Sequence, residues 1–223
     1  VVIEHNLDVI KNADYIIAEG HWSKETIIHS GIHKDKIFEV IQGCPDLFME
    51  LIKKNKKKII RDKFEKGKKL KLLFVGLLIQ RKGIDFLMEI FEKLDNFFVE
   101  LTIVGKEIDV KFLNKFNSFK KKNNVKYFSY LTFEQIACEM MKNHIFIFPS
   151  TSEGCARVVT EACAAGMYPI ISKNVGSFIE DNIHGRLLDP ANIDGWVEAI
   201  KDLIDNPKKI EEAGTINSNL AIS

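Results

Sequence analysis

From Leu70 onward, short runs of β-branched and aromatic residues alternate with stretches of helical periodicity. The runs predicted as strands are KLLFVG, VELTIVG, VKYFSY, HIFIFPS and YPIIS. Apolar residues recur at helical spacing in the segments between and after them, GIDFLMEIFEKL, IDVKFLNKFNSFKKK, TFEQIACEMMKN and CARVVTEACAAG. The predicted strands are nearly continuous apolar runs, which is typical of a parallel sheet covered by helices on both faces. The pattern therefore predicts an α/β fold with a doubly wound parallel sheet.

The segments on either side of these elements have patterns of their own. After Ile171, GSFIEDN is predicted to be a short helical turn, GRLLD a short strand and ANIDGWVEAIKDLIDN a helix that stops at Pro207. Residues 208–223 are predicted to be a truncated tail. Residues 1–48 contain a predicted strand, YIIAEG, a helix that begins near Ser23, a second strand, KIFEVI, and the turn QGCPD. They are predicted to be the end of a separate α/β unit.

Lysine dominates the stretch between these two units, residues 49–69. One interpretation is a basic patch that faces anionic lipid or a phosphate-bearing acceptor. The other is a solvated helical linker, which Asp62 and Glu65 favour because they interrupt the run of lysines.

Composition narrows the classes of function. A net charge of +1 in 223 residues argues against a nucleic-acid partner, which requires a clear basic excess. The longest nearly apolar run, LKLLFVGLLI, is shorter than the ~20 residues that span a bilayer. The cysteines show no CxxC spacing, so neither a zinc site nor a redox pair is predicted; they are Cys44, Cys138, Cys155 and Cys163. Free thiols are consistent with a reducing, cytoplasmic compartment.

Two loops follow predicted strands and carry the candidate chemistry, residues 76–83 and residues 149–158. In open α/β sheets, ligands bind beyond the carboxyl ends of the strands. A helix that begins near Cys155 would direct unpaired backbone N–H groups at an anion, and Gly154 would leave room for close approach. The N–H groups of this predicted seat belong to Cys155, Ala156, Arg157 and Val158. Lys82 or Arg81 from the other loop would add a cation.

Two glutamates, Glu153 and Glu161, have seven residues between them in SEGCARVVTEACAAG. Along a helix this spacing exceeds the roughly 5 to 5.5 Å between the carboxylates of a retaining glycosidase, so a shared proton-transfer site is not predicted. The glutamates would instead bind opposite ends of an extended ligand, since a carboxylate accepts from a vicinal diol. Alternatively, Glu153 caps the helix and Glu161 pairs with Arg157. Spacing alone leaves both interpretations open.

Several motifs in sequence order resemble the carboxyl-terminal half of family 4 retaining glycosyltransferases, which have the GT-B fold. They are FVGLLIQRKGIDFLMEIF, LTIVG, IFIFPSTSEGCARVVTEACAAGMYPIIS and HGRLLDPANIDGWVEAI. Upstream, KNADYIIAEG and KIFEVIQGCPD resemble the approach to that family's interdomain hinge. The resemblance implies a Rossmann-like donor-binding domain over residues 70–207. It also implies the end of an amino-terminal acceptor domain and hinge over residues 1–48, and the basic linker between them.

The resemblance also implies roles for single residues. The family's motif of two glutamates falls on Glu153, expected to contact hydroxyls of the transferred sugar, and on Glu161, expected to hold the ribose diol. The family's phosphate-binding lysine falls on Lys82, so Glu153 and Lys82 are the implied catalytic residues. The implied substrate-binding residues are Gly76, Arg81, Gly154, Cys155, Ala156, Arg157, Val158 and Glu161. No metal and no cofactor are implied, because the nucleotide diphosphate sugar is the substrate.

Three positions depart from the family pattern. Leu77 stands where the family usually has an arginine, and we expect Arg81 to compensate for the lost diphosphate contact. The loop after LTIVG reads KEID where a second glycine is usual. Tyr130 stands near the expected base site, where it would either stack on the base or fill the core.

The resemblance implies an acceptor glycan or lipid-linked saccharide, in cell-surface polysaccharide or glycoconjugate synthesis on the cytoplasmic side, with possible peripheral contact with the inner face of the membrane. An acceptor domain is expected elsewhere in a longer chain or in a partner chain, so the chain alone is expected to bind donor and transfer little. A GT-B epimerase with His144 or His184 as a further acid or base is an alternative. A non-catalytic nucleotide-sugar-binding module is another. A Rossmann dehydrogenase is disfavoured, because no GxGxxG follows a predicted strand.

Overall fold

The computed structural model of the protein describes residues 8–55, 64–65, 67–94, 98–106 and 110–220. Its first unit is a two-stranded parallel sheet of β1 (Ile16–Ala18) and β2 (Ile37–Glu39), connected through helix α1 (His21–His29). This unit has a small core of its own, formed by the buried side chains of Ala18, Ile32 and Ile37. The predicted strand, helix and strand of the first 48 residues are thereby confirmed.

The second unit is a six-stranded sheet in which all neighbouring strands are parallel, in the order β5-β4-β3-β6-β7-β8. Its strands are β3 (Leu70–Val75), β4 (Val99–Val104), β5 (Val125–Phe128), β6 (Ile145–Phe148), β7 (Tyr168–Ser172) and β8 (Arg186–Leu188). The chain starts in the middle at β3, proceeds to one edge, and returns to β6 to build the other half. This confirms the predicted doubly wound fold and puts its switch point between β3 and β6.

Helices surround the larger sheet and supply the rest of its core. They are α2 (Asp46–Asn55), α3 (Ile84–Lys93), α4 (Val110–Phe119), α5 (Phe133–Lys142), α6 (Arg157–Ala164), α7 (Ile193–Asp205) and α8 (Lys208–Leu220). A capping box between Thr132 and Gln135 begins α5, and the Asn192 side chain caps α7. Strands β6 and β7 are buried along their whole length, which explains their continuous apolar sequences. No helix within the described ranges is long and apolar enough to cross a membrane.

Two local predictions were wrong. The segment GSFIEDN is not a helical turn, because its backbone bonds to a neighbouring loop: the Gly176 N–H donates to the Glu153 carbonyl oxygen at 3.3 Å. Most of the predicted tail is helix α8, which packs on α6 and β7 through the buried Ile210 and Ala213. The amide of Asn217 donates from this helix to the carbonyl oxygen of His184 at 2.7 Å. The predicted linker also begins within α2, and its positions 56–63 and 66 lie outside the described residues.

Gly83 lies where the loop after β3 meets α3, and a substitution there tests how closely the loops at the switch point are packed. Its φ is +72°, and a Cβ built on it would overlap the carbonyl oxygen of Pro149. We predict that Gly83→Ala lowers the free energy of unfolding by about 3 to 5 kcal/mol, from left-handed strain plus the steric clash. Gly67→Ala is the matched control, because φ there is +96° and nothing lies within 4 Å of the added Cβ. It should cost only about 1 to 2 kcal/mol in urea unfolding. Equal losses in the two variants would contradict the close packing.

Candidate functional site

The two candidate loops meet at the switch point of the sheet. Strands β3 and β6 are hydrogen-bonded neighbours, so the loops that follow them leave the same edge side by side. The carbonyl oxygen of Arg81 in the first loop accepts the backbone N–H of Thr151 in the second at 2.8 Å, and the Thr151 hydroxyl at 3.1 Å. The structure therefore brings together the loop residues that the sequence put forward separately.

A 3₁₀ turn (Gln80–Lys82) presents the two cations of the first loop. Gly83 ends the turn in the left-handed conformation, where its N–H donates to the Gln80 carbonyl oxygen at 2.8 Å. Lys82 is only 16% exposed and its ammonium group lies 5.3 Å from the centre of the Phe148 ring. The Arg81 side chain is 51% exposed. The site thus has one sheltered cation and one that is open to solvent.

Both cations contact the carboxylate of Glu153. Its Oε1 atom lies 2.7 Å from Lys82 Nζ and 2.8 Å from Arg81 Nη1. The guanidinium of Arg81 also donates to the carbonyl oxygen of Ser152 at 2.8 Å. Glu153 therefore does not cap a helix, as one interpretation of the sequence had it: the residue before α6 is Ala156, and no side chain caps that helix.

Helix α6 begins at Arg157, later than the predicted start near Cys155, and points its amino end toward the loops. Within the described part of the chain, the N–H groups of Arg157 and Val158 donate no hydrogen bond, as expected for the first turn of a helix. The Ala156 N–H is directed to the carbonyl oxygen of Gly176 at 3.4 Å, a weak bond. Exposed Gly154 leaves the approach to this end open. Of the four N–H groups in the predicted anion seat, those of Arg157 and Val158 form the first turn of the helix and are free to bind an anion.

Glu161 lies on α6, where it is half-buried and close enough to Cys44, in the turn QGCPD, for its charge to act on that thiol. Burial raises the pKa of its carboxyl group, while the charge of Arg157 acts in the opposite direction. Among the described residues no ion pair joins Glu161 to Arg157, whose charge acts only at longer range, so the alternative of a surface pairing is not supported. Burial, with the charges of Glu161 and Asp46, also raises the pKa of the Cys44 thiol to about 12. Glu161 is therefore a carboxylate kept in a desolvated position without a cation in contact.

The remaining sequence candidates lie in different settings. Gly76 directly follows β3 and lies beside the rings of Phe74 and Phe148, and Leu77 after it is 42% exposed. Tyr130 is 78% exposed, so it does not fill the core.

Neither histidine belongs to the site. His144 is buried before the amino end of β6, where its Nδ1 accepts the Lys71 N–H at 3.0 Å. His184 lies in the turn before β8, where its Nδ1 accepts the Glu180 N–H at 3.0 Å. The ligand edge of the sheet is at the carboxyl ends of the strands, so His144 lies at the opposite edge. Both side chains therefore accept hydrogen bonds from the backbone outside the candidate site, which disfavours either as the acid or base of an epimerase.

Sequence reasoning missed Ser150, whose side chain is fully buried in the site. Its hydroxyl lies 2.9 Å from both the Arg81 carbonyl oxygen and Glu153 Oε1, which are two acceptors for one proton. The available signal was a serine two residues after a wholly apolar strand, because a buried hydroxyl requires a partner.

The sequence also gave no indication that the first unit contacts the site. A Cβ on Gly176 would overlap the carbonyl oxygen of Gly154, and one on Gly20 would lie 3.1 Å from the Gly176 Cα. The adjacent Glu19 carboxylate accepts the Gln42 side-chain amide at 2.6 Å. The first unit therefore borders the loop that carries Glu153.

The six-stranded parallel sheet and its switch-point loops define a Rossmann-like α/β domain of the kind found in GT-B glycosyltransferases. Residues 55–218 match the family model described as "Glycosyl transferases group 1". The chain belongs to this glycosyltransferase family, which confirms the resemblance drawn from its motifs.

Curated relatives and solved structures agree with this assignment. An uncharacterized 41.2 kDa protein in the cps region of Klebsiella pneumoniae is 27% identical over 183 residues, which are 80% of this chain and 48% of the relative. An uncharacterized glycosyltransferase of Methanocaldococcus jannaschii is 32% identical over 140 residues, 60% of this chain and 38% of the relative. The matched part of the chain spans between 36% and 53% of the length of the five curated relatives.

Two solved structures share the fold at low sequence identity. The Anabaena protein HepE in complex with UDP-glucose has a TM-score of 0.77 at 18% identity, over 98% of this chain and 63% of HepE. Sucrose-phosphate synthase of Thermosynechococcus elongatus has a TM-score of 0.78 at 18% identity, over 99% of this chain and 56% of that chain.

The buried position of Glu161 predicts a gain in stability when its charge is removed. Since its folded pKa lies above the unfolded one, its favourable contribution is complete below the unfolded pKa and is lost as the pH rises through the folded pKa. Glu161→Gln should therefore unfold at a higher temperature than the wild type at pH 7. The difference should vanish below about pH 4, close to the unfolded pKa of glutamate.

Glu100→Gln is the control, because its effect on stability at pH 7 is expected to be opposite to that of Glu161→Gln. Burial acts to raise the pKa of Glu100, but the hydrogen bond from Lys69 and the nearby lysine charges together lower it. This variant should be less stable than the wild type at pH 7, and the difference should again vanish in acid. Thermal unfolding between pH 3 and pH 8 measures both; a destabilised Glu161→Gln at pH 7 would contradict the desolvation argument.

Proposed function

We propose that residues 70–207 form the donor-binding half of a retaining glycosyltransferase, which transfers a hexosyl group from a nucleotide diphosphate sugar to an acceptor. The observation that carries this proposal is the convergence of Lys82, Arg81 and the amino end of α6 around Glu153 at the switch point. Cations and free helix N–H groups at this position suit a diphosphate. The family match and the structural likeness to HepE, a protein solved with UDP-glucose, support a nucleotide-sugar donor.

In this proposal the diphosphate lies between the β3 loop and α6. Lys82, Arg81 and the N–H groups of Arg157 and Val158 bind its oxygen atoms, with Gly76 and Gly154 leaving room for the approach. Glu153 accepts hydroxyls of the sugar, and Glu161 accepts the ribose diol. Arg81 takes the part of the arginine that Leu77 replaces. The backbone of Cys155 and Ala156 lines the same end of the helix.

The chemical step is cleavage of the bond between the sugar and the diphosphate through an oxocarbenium-like transition state. Negative charge then grows on the leaving diphosphate. Lys82 and the amino end of α6 would interact with this charge and so stabilise the transition state more than the ground state. The charge of the leaving group is therefore met by the chain's own groups, and no resident metal takes part.

The acceptor belongs to a further domain, in a longer chain or in a partner, and is a glycan or a lipid-linked saccharide of cell-surface polysaccharide or glycoconjugate synthesis. The relative in the cps region of Klebsiella pneumoniae supports this class. Such an acceptor puts the protein on the cytoplasmic side, with peripheral contact at the inner membrane face. The 223-residue chain would then bind donor and transfer little.

Lys82→Ala tests the diphosphate site. The loss of one sheltered charge-assisted contact should weaken UDP binding at least about tenfold by titration calorimetry. Arg81→Ala should do the same, because Arg81 replaces the missing arginine. Lys93→Ala is the control, since Lys93 lies at the far end of α3, where its Nζ pairs with Asp194 at 2.8 Å. Unchanged UDP affinity in Lys82→Ala would contradict the proposal.

Treatment with a chelator tests the metal-free arrangement. We predict that the UDP affinity of the chain is the same before and after EDTA, because protein cations and helix N–H groups meet the diphosphate charge. Titrations in EDTA and in added Mg²⁺ measure this directly. A loss of binding in EDTA that Mg²⁺ restores would show that a metal bridges the diphosphate.

A further inference from the structure

The donor site holds an internal anion where the diphosphate would bind. Three donors converge on one carboxylate oxygen, Oε1 of Glu153: Lys82 Nζ at 2.7 Å, Arg81 Nη1 at 2.8 Å and the Ser150 hydroxyl at 2.9 Å. The Glu153 side chain is only 10% exposed. This carboxylate is therefore bound by the same cations that the proposed function assigns to the diphosphate.

A diphosphate that reaches Lys82 also meets the charge of Glu153. Two anions in one sheltered site repel each other, and each draws on the same donors. The free-energy cost of this repulsion and of the lost contacts is offset if another group donates to Glu153 when the cations turn toward the phosphate. The hydroxyls of the sugar in an intact donor are such groups, because a carboxylate accepts from two hydroxyls at once. A bare nucleoside diphosphate supplies none.

We propose that Glu153 is a specificity-determining residue that lets the site discriminate the sugar-bearing donor from the bare nucleoside diphosphate. The inference rests on the proposed function. With intact donor, the sugar hydroxyls take the place of Lys82 and Arg81 on the carboxylate, and the cations bind the diphosphate. After transfer the sugar is gone, so the carboxylate recaptures both cations and favours release of the product.

Hydrogen bonds from Ser150 and from the backbone fix the position of the Glu153 carboxylate, which competes with the diphosphate for the two cations. The buried Ser150 hydroxyl lies between Glu153 Oε1 and the Arg81 carbonyl oxygen, so the carboxylate is fixed relative to the loop that carries the cations. The Glu153 N–H donates to the Asn174 carbonyl oxygen at 3.1 Å, which fixes its backbone as well. The carboxylate is thus positioned against Lys82 and Arg81 before any ligand arrives.

The test compares UDP and UDP-glucose as probes, with ADP and GDP titrated in parallel on the wild type. Glu153→Gln keeps the shape of the side chain and removes its charge, so it should bind UDP about tenfold more tightly than the wild type. Its affinity for UDP-glucose should rise less or fall, since the carboxylate contact with the sugar is lost. The ratio of the two affinities therefore shifts toward UDP.

Glu19→Gln is the matched control. It removes the same charge beside Gly154, but that carboxylate accepts from Gln42 and contacts neither cation. Its UDP affinity should stay within about twofold of the wild type. Glu153→Asp is an independent variant, because a side chain shorter by one methylene group cannot reach both cations, and it should also bind UDP more tightly. Thermal unfolding verifies that each variant is folded.

The gain in UDP affinity that Glu153→Gln is expected to produce should also depend on Arg81. If Glu153 acts by holding this cation, Glu153→Gln improves UDP binding less in an Arg81→Ala background than in the wild type. An equal gain in both backgrounds would indicate a general charge effect and overturn the inference. UDP binding to the wild type that Glu153→Gln and Glu153→Asp leave unchanged or weaken would overturn it too, while the proposed function stands. A wild type that binds none of UDP, ADP or GDP overturns the proposed function itself.

Discussion

The site depends on the backbone contact between the loops after β3 and β6. The carbonyl oxygen of Arg81 accepts from the backbone and the side chain of Thr151, and Gly83 packs against Pro149 with no room for a Cβ. Parallel pairing of β3 with β6 brings the loops to the same edge, and these bonds fix one against the other. These backbone hydrogen bonds thus hold the two loops at a separation at which the side chains of Lys82 and Arg81 reach Glu153.

The charges of the site are arranged at a cost in stability. Glu161 is buried without a cation in contact, so its ionised form is disfavoured by desolvation. Such groups cluster where a ligand is to be recognised, because a desolvated carboxylate gains most from hydroxyl donors. Glu153 is treated differently: its charge is neutralised in advance by two cations. In the proposed site, Glu161 would accept a ligand without losing a cation, whereas Glu153 would first give up its contacts with Lys82 and Arg81.

Much of the fold and part of the site could be predicted from sequence. The apolar runs predicted β3, β4, β6 and β7 because strands that are buried on both faces leave little choice of residue. The two loops, with Arg81, Lys82 and Glu153, were put forward because ligand positions follow from strand direction, whereas Glu161 was singled out by its spacing from Glu153 and by the resemblance to the family. Spacing could not show which way Glu153 points, since that depends on a loop distant in sequence. Helix α8 was missed because its burial depends on tertiary packing against α6 and β7, which local pattern does not report.

The central claim is that the switch point of β3 and β6 is a diphosphate site in which Glu153 must release its cations. A crystal structure of the chain with UDP-glucose tests this most directly. The account predicts diphosphate oxygens within hydrogen-bond distance of Lys82, Arg81 and the first N–H groups of α6, with sugar hydroxyls on the Glu153 carboxylate. A diphosphate bound elsewhere, or one bound while both cations still contact Glu153, would contradict it.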